Sequence, residues 1–110
     1  MNVAIYGKKI NKQSLAHFKE VLGILKDFGW NPVIEKELKK HLVSKIGLSP
    51  MTDEFSSHND FHHGIDLTLS MGGDGTFIKS VGFIRNSGVP IVGINTGRLG
   101  FLANISKDQI

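Results

Sequence analysis

The chain has 110 residues, a net charge of +3 and 40% hydrophobic residues, which fits one globular domain with its own core and excludes wholesale disorder. No apolar run approaches the ~20 residues that cross a bilayer, and with no cysteine the chain has no thiolate chemistry, so we expect a protein of the reducing cytoplasm. Its lysines are spread among acidic residues and not gathered with aromatic ones, so we expect neither nucleic-acid nor membrane binding.

The first predicted elements are a strand and a helix. Residues 2–6 form a short apolar strand that Gly7 closes. Apolar side chains then recur at steps of three and four positions, which predicts an amphipathic helix over residues 13–28, and Gly29 supplies its end.

The middle of the chain has weaker patterns. Residues 31–38 are predicted to form a second strand, whereas residues 39–47 fit neither a helix nor a strand clearly. Residues 49–64 are polar and contain a proline, which is typical of a surface loop.

Two strands and a helix are predicted between residues 65 and 94. Residues 65–71 form a strand, residues 76–85 a helix and residues 89–94 another strand. Four apolar side chains of that helix are expected to face inward: Phe77, Ile78, Val81 and Ile84. The alternation of strands and helices predicts an α/β fold with a parallel sheet covered by helices on both faces.

Residues 106–109 have the form of a capping box, the opening of a helix, with Ser106 and Gln109 at its two ends. Because a helix needs more residues than the chain then provides, we expect this sequence to be a piece of a longer protein.

A glycine-rich turn, GGDGT at residues 72–76, links the predicted strand 65–71 to the helix that follows. In open parallel sheets, ligands bind at the carboxyl ends of strands at such turns, and a helix N-terminus attracts anions. Asp74 within it has two interpretations. It can cap the helix, or its carboxylate can meet a substrate hydroxyl, for which the surrounding glycines leave room.

A second glycine-containing motif, NTGRLGFL at residues 95–102, follows the next predicted strand. Taken alone, it fits a loop with a hydrophobic anchor as well as a binding loop. Since both motifs follow neighbouring strands, we expect them to lie side by side over one crevice.

Together, GGDGT and NTGRLGFL resemble the NAD kinases, and the order of elements agrees with this resemblance over essentially the whole chain. The resemblance implies a Rossmann-like open parallel sheet, as in the N-terminal domains of NAD kinases and phosphofructokinases, followed after residue 110 by a second, β-rich domain. It also implies phosphorylation of the 2′-hydroxyl of the adenosine ribose of NAD, giving NADP.

The resemblance carries roles for individual residues. Asp74 matches the family's proton acceptor, and Gly75 its partner in contacting NAD. Lys79 matches a basic nucleotide contact, although it also fits a solvated lysine. Phe101 matches an aromatic residue of the nucleotide pocket, although it also fits core packing. Supporting positions around the two loops are Gly72, Gly73, Thr76 and Asn95.

The implied co-substrate is ATP or polyphosphate, and the implied cofactor is a divalent metal cation, for which we expect Mg²⁺. The implied partners are NAD and ATP, with assembly of the complete protein into a homodimer or homotetramer. Two alternatives stay open: a lipid kinase of the diacylglycerol or sphingosine type, which shares GGDG, and a nucleotide-binding module without catalysis. His58, His62 and His63 lie close together in sequence, but we expect a solvated loop there and no metal site.

Overall fold

The structure, a computed structural model, describes residues 1–62 and 64–94, without the side chain of His62. Its strands and helices in chain order are β1 (Asn2–Gly7), α1 (Lys12–Phe28), β2 (Asn31–Glu35), α2 (Lys36–Ile46), β3 (Asp53–Phe55), β4 (Leu67–Met71), α3 (Asp74–Ile84) and β5 (Ile91–Ile94). A short 3₁₀ helix, His58–His62, lies between β3 and β4.

The five described strands form one sheet in the order β3-β2-β1-β4-β5, and every pairing is parallel. From β1 the chain runs outward to β2 and β3 and then returns to place β4 on the other side of β1. Strand order therefore reverses between β1 and β4, and such a switch point leaves a crevice at the carboxyl ends of the strands. The predicted α/β fold with a parallel sheet is confirmed.

Helices cover both faces of the sheet, and β1 is therefore buried on both of its faces. Val3 and Ile5 pack with Phe18 of α1 and Leu38 of α2 in one core cluster. The intervening residues of β1 point the other way. There Ala4 and Tyr6 pack in a second cluster whose other buried members are Val33, Phe55, Phe61 and Ile84.

Local chemistry fixes both ends of α1. Asn11 accepts a hydrogen bond from the backbone N–H of Ser14 at 2.8 Å, and the Ser14 hydroxyl oxygen accepts one from the backbone N–H of Asn11 at 2.9 Å. This reciprocal capping starts the helix one residue before the predicted start. Gly29 ends it with φ of 72°, as the sequence predicted.

The predicted strand 31–38 is too long. It ends at Glu35, whose carboxylate accepts hydrogen bonds from the backbone N–H groups of Glu37 and Leu38 at 2.9 and 3.0 Å and so starts α2 at once. The ambiguous residues 39–47 are therefore mostly helical. The predicted loop 49–64 is not irregular throughout, because it contains β3 and the 3₁₀ helix.

The predicted inward face of α3 is wrong for Ile78 and Val81, whereas the ring of Phe77 lies against Gly93 of β5. Ile84 is buried, but Phe77, Ile78 and Val81 are 37%, 71% and 45% exposed. The helix instead turns Ser80 to the sheet, fully buried, with its hydroxyl donating to the carbonyl of Thr76 at 2.9 Å. In the part of the chain that the structure describes, no helix is long and apolar enough to cross a membrane.

Candidate active site at the switch point

The crevice at the switch point lies between two turns, the one after β1 and the one after β4. Gly7, the last residue of β1, pairs in register with Met71, the last residue of β4. Neighbouring strands are about 4.8 Å apart, so Lys8 and Gly72 begin the two turns side by side. The glycine-rich turn predicted from the sequence thus lies at the edge where doubly wound sheets bind ligands.

Gly72 is required by the fold itself. Its φ is 147°, in the region that favours glycine, and a Cβ added there would lie 2.8 Å from the Thr76 hydroxyl oxygen. Its N–H donates to the carbonyl of Ile94 at 2.9 Å, which ties the turn to the end of β5. Gly72 therefore shapes the turn, with Thr76 as the side chain packed against it.

Gly73 and Gly75 are not required by the surrounding protein. A Cβ added at either residue would meet no atom within 4 Å, and neither has a positive φ. Gly75 is the second residue of α3, where glycine costs roughly 0.5–1 kcal/mol of stability relative to alanine. Glycine at these two positions leaves the backbone open to a ligand.

Asp74 is the first residue of α3 and is exposed. The residue at the cap position is Gly73, and no side chain makes a capping hydrogen bond, so the interpretation of Asp74 as a helix cap is wrong. Within residues 1–62 and 64–94, no hydrogen bond or ion pair occupies its carboxylate. It lies in the first turn of α3, where the backbone N–H groups of the helix start also point.

The first N–H groups of α3 are also available at the crevice. The first backbone bond within the helix runs from the N–H of Phe77 to the carbonyl of Gly73 at 3.1 Å. The N–H groups of Asp74, Gly75 and Thr76 therefore precede the helical ladder, as the first donors of any helix do. Such donors suit a phosphate group.

The strand that precedes the second predicted loop ends beside the glycine turn. β5 is the parallel neighbour of β4, and its last residue, Ile94, is joined to Gly72. β5 therefore ends at the same edge of the sheet as β4. Asn95 and Phe101 lie outside the described residues.

Lys79 lines a cavity of about 250 Å³ next to the crevice, above the carboxyl ends of β1 and β2. Sequence reasoning assigned Lys79 to a nucleotide but missed its neighbours in this cavity, Tyr6, Glu35 and His41. Glu35 was missed because the predicted strand ran on to residue 38, which put Glu35 inside the strand and not at its carboxyl end. Nothing in the local sequence pattern linked His41 to this edge.

Tyr6 is 4% exposed and lines the same cavity. Its ring packs edge-on against Phe83, with the ring centres 5.3 Å apart. Burial, with a smaller contribution from the negative charge of Glu35, raises the pKa of the phenol above its ordinary value of 10.0. Tyr6 is therefore a neutral hydroxyl at physiological pH.

His58 holds the 3₁₀ helix against α3, since its ring Nδ1 lies 2.9 Å from the carbonyl oxygen of Phe83. His63 and the side chain of His62 lie outside the described residues. Among the residues that are described, no three or more His, Asp or Glu side chains form a group that could hold a metal ion.

An open parallel sheet with a glycine-rich turn and an exposed carboxylate at its switch point is the architecture of a nucleotide-handling α/β domain. Residues 3–110 match the family model of the ATP-NAD kinase N-terminal domain. The chain therefore belongs to the ATP-NAD kinase family, which decides against the lipid kinase alternative.

Similar proteins carry the same description. An NAD kinase of Christiangramia forsetii is 38% identical to the chain over 110 residues, one of Bacteroides fragilis 36% and one of Flavobacterium psychrophilum 34%. Each alignment covers 100% of this chain and 37% of the relative. The chain thus spans a little over a third of the length of these relatives.

Proposed function

We propose that this chain is the N-terminal α/β part of an NAD kinase, which transfers a phosphoryl group from ATP or polyphosphate to the 2′-hydroxyl of the adenosine ribose of NAD. Asp74 accepts the proton of that hydroxyl, and Gly75 contacts NAD beside it. The N–H groups at the start of α3 bind phosphate oxygens. In phosphoryl transfer the transition state is loose, so orienting the attacking hydroxyl and binding the phosphates are the main tasks of the protein.

The observation that carries the proposal is the carboxylate of Asp74 in its glycine turn, which has no partner within residues 1–62 and 64–94. It caps no helix and is exposed at the switch-point edge. The turn has open space at Gly73 and Gly75, where a ligand can approach the backbone. A module that only binds nucleotides has no need for an exposed carboxylate beside the N–H groups of a helix start, because the carboxylate would repel the phosphates of the ligand.

The test is Asp74→Asn in the full-length protein, assayed with NAD, ATP and Mg²⁺ through an NADP-specific dehydrogenase. We expect kcat to fall by about a hundredfold, within the ~10²–10⁴-fold contribution of a positioned base. Asp27→Asn is a matched control, because Asp27 is also an exposed aspartate but lies at the far end of α1.

Unchanged turnover in Asp74→Asn would refute the role of Asp74. Nucleotide binding without NADP formation by the unsubstituted protein would instead favour the non-catalytic module. Turnover of diacylglycerol or sphingosine would contradict NAD as the acceptor.

A divalent cation belongs to the proposal, with Mg²⁺ as the expected ion. Mg²⁺ is commonly held by one or two carboxylates together with substrate phosphates and not by a cage of protein ligands. Asp74 is the carboxylate that the described chain places at the phosphate-binding turn, which fits an ion that arrives with the donor. The cation would neutralise charge on the phosphates during transfer.

The remaining parts of the proposal concern the complete protein. We propose that a β-rich domain follows residue 110, that Asn95 and Phe101 complete the nucleotide pocket, and that Lys79 contacts a nucleotide. We also propose a cytoplasmic homodimer or homotetramer. Sedimentation of the full-length protein would measure the oligomeric state.

A further inference from the structure

The contact between β4 and α3 contains two buried hydroxyl groups without a hydrogen bond. Thr68 and Ser70 of β4 are each 1% exposed, and within residues 1–62 and 64–94 neither side-chain oxygen has a hydrogen-bond partner. A buried polar group that is left unpaired costs about 1–3 kcal/mol. Valine and alanine would fill the two positions without that cost, so the hydroxyls need an explanation other than the stability of this arrangement.

Both hydroxyls face α3. The partners of Thr68 and Ser70 in register on β1 are Ala4 and Tyr6. Residues that are paired across parallel strands point to the same face of a sheet, and on this face Ala4 and Tyr6 pack in one core cluster with Ile84 of α3. The two hydroxyls therefore lie in the layer between β4 and α3.

α3 has a buried hydroxyl at the level of Thr68. The helix runs back along β4 from the glycine turn, and from Asp74 to Ser80 it descends about 9 Å at 1.5 Å per residue. From Met71 back to Thr68 the strand covers about 10 Å at 3.3 Å per residue. Ser80 is fully buried and donates its proton to the carbonyl of Thr76, so its oxygen can still accept a hydrogen bond.

The C-terminal end of α3 is firmly held. The ring of Phe83 packs edge-on against Tyr6 and Phe55, with ring centres 5.3 and 5.2 Å apart, and Ile84 is buried beside it. Arg85 follows with a φ of 46°. A strained backbone of this kind persists only where the surrounding packing enforces it, which agrees with a fixed helix end.

The first half of α3 is held by fewer contacts. Residues 74–79 are exposed or half-buried, and no side chain caps the start of the helix. Phe77 lies against Gly93, which has no side chain to interlock with the ring. This half of the helix can therefore shift by a small distance about the fixed C-terminal end.

We propose that Thr68 and Ser80 are positioning residues for Asp74. Ligand phosphates that contact both the glycine turn and the start of α3 draw the first half of the helix towards β4, and the Thr68 hydroxyl then donates a hydrogen bond to the Ser80 oxygen. Ser70 has Thr76 as its counterpart in the same movement. The new bonds hold Asp74 where it meets the acceptor hydroxyl, and in this ligand and this role of Asp74 the inference rests on the proposed function.

The test uses Thr68→Val in the full-length protein, a change that removes the hydroxyl and keeps the shape of the side chain. Thr52→Val is the matched control, because Thr52 precedes β3, three strands away from β4. Without ligand, Thr68→Val should raise the midpoint of thermal unfolding by about 1–4 °C, since it removes an unpaired buried hydroxyl. Thr52→Val should leave the NADP-forming rate unchanged.

Catalysis should change in the opposite direction. The NADP-forming rate at limiting NAD and ATP compares the free enzyme with the transition state. We expect Thr68→Val to lower this rate about three- to tenfold, the weight of one hydrogen bond, and Thr68→Ser to restore it to within twofold. In a Ser80→Ala background, Thr68→Val should change the rate by less than about 1.5-fold, because the partner hydroxyl is already gone.

Hydrogen exchange follows the movement without turnover. With ATP or with NAD bound, the backbone N–H groups of residues 77–81 should exchange more slowly, whereas those of residues 82–84 should not change. Thr68→Val should reduce this protection. Equal exchange with and without both nucleotides would contradict a movement of α3.

An unchanged NADP-forming rate in Thr68→Val would overturn the inference, and so would an equal loss of rate in the Ser80→Ala background. A lower unfolding midpoint of Thr68→Val without ligand would also contradict it, because the hydroxyl would then stabilise the unliganded protein. If the unsubstituted protein makes no NADP, the proposed function fails, but hydrogen exchange with ATP and with NAD still tests the movement. The two failures are therefore distinguishable.

Discussion

Two glycines of the turn around Asp74 differ in what the surrounding protein demands of them. Gly72 has a φ of 147° and Thr76 against it, so Gly72→Ala should lower the free energy of unfolding by about 1–3 kcal/mol. Gly75 is helical and open, so Gly75→Ala should raise that free energy by about 0.5–1 kcal/mol while weakening nucleotide binding. Denaturant unfolding measures the two changes in the free energy of unfolding. Calorimetry with NAD and with ATP measures the loss of nucleotide binding in Gly75→Ala.

The opposite signs separate a structural glycine from a ligand-facing one. If Gly75→Ala stabilises the protein and binds both nucleotides as before, then no ligand approaches the backbone at this residue. If Gly72→Ala unfolds at the same denaturant concentration as the unsubstituted protein, then the turn has another conformation available. The sequence identified the glycines of this turn, but it could not tell the structural glycine from the ligand-facing one. That distinction depends on the contact of Gly72 with Thr76 and on the absence of any atom near Gly75.

At the level of whole elements, α1 should depend measurably on its reciprocal cap. Asn11→Ala removes the side chain that accepts from the N–H of Ser14, and the free energy of unfolding should fall by about 1 kcal/mol. Gln13→Ala is the control within the same first turn, since Gln13 is exposed and has no part in the cap. Thermal or denaturant unfolding monitored by circular dichroism measures both.

Equal stability of Asn11→Ala and Gln13→Ala would mean that packing of α1 on the sheet alone fixes its start. Nucleotide binding should be the same in both variants, because neither Asn11 nor Gln13 belongs to the proposed site.

Sequence patterns predicted elements well where apolar side chains point to one core. They gave α1 to within one residue and located the strands β1, β4 and β5. They failed at α2 because strand and helix meet at Glu35 with no loop between them, although Leu38, Leu42 and Ile46 repeat every four residues. They failed in part on the face of α3 because a small polar residue, Ser80, is fully buried while Ile78 and Val81 are exposed.

For the molecule as a whole, we expect unfolding in a single transition, because β1 contributes side chains to both core clusters. Its Ile5 belongs to the core under α1 and α2, and its neighbours Ala4 and Tyr6 to the core under α3. Fluorescence of the only tryptophan, Trp30, which packs against the first core, should therefore change together with the overall circular dichroism in a denaturant titration.

Ile5→Ala should lower the free energy of unfolding by 2–5 kcal/mol, the usual cost of truncating a buried isoleucine, and keep the two signals coincident. Lys19→Ala, exposed on α1, should change it by less than about 0.5 kcal/mol. Separate transitions for the two signals would show that the two faces of the sheet unfold independently.

Because β4 pairs with β1 on the side opposite β2, one edge of β1 stays without its partner strand until β4 has been synthesised. The backbone N–H of Asn2, at the start of the central strand, bonds to Asp66, a residue 64 positions later. At 5–20 residues per second, a ribosome adds those residues in roughly 3–13 s. For that interval the most buried strand of the finished domain has one edge unpaired, open to a nascent-chain chaperone or to a strand of a neighbouring chain.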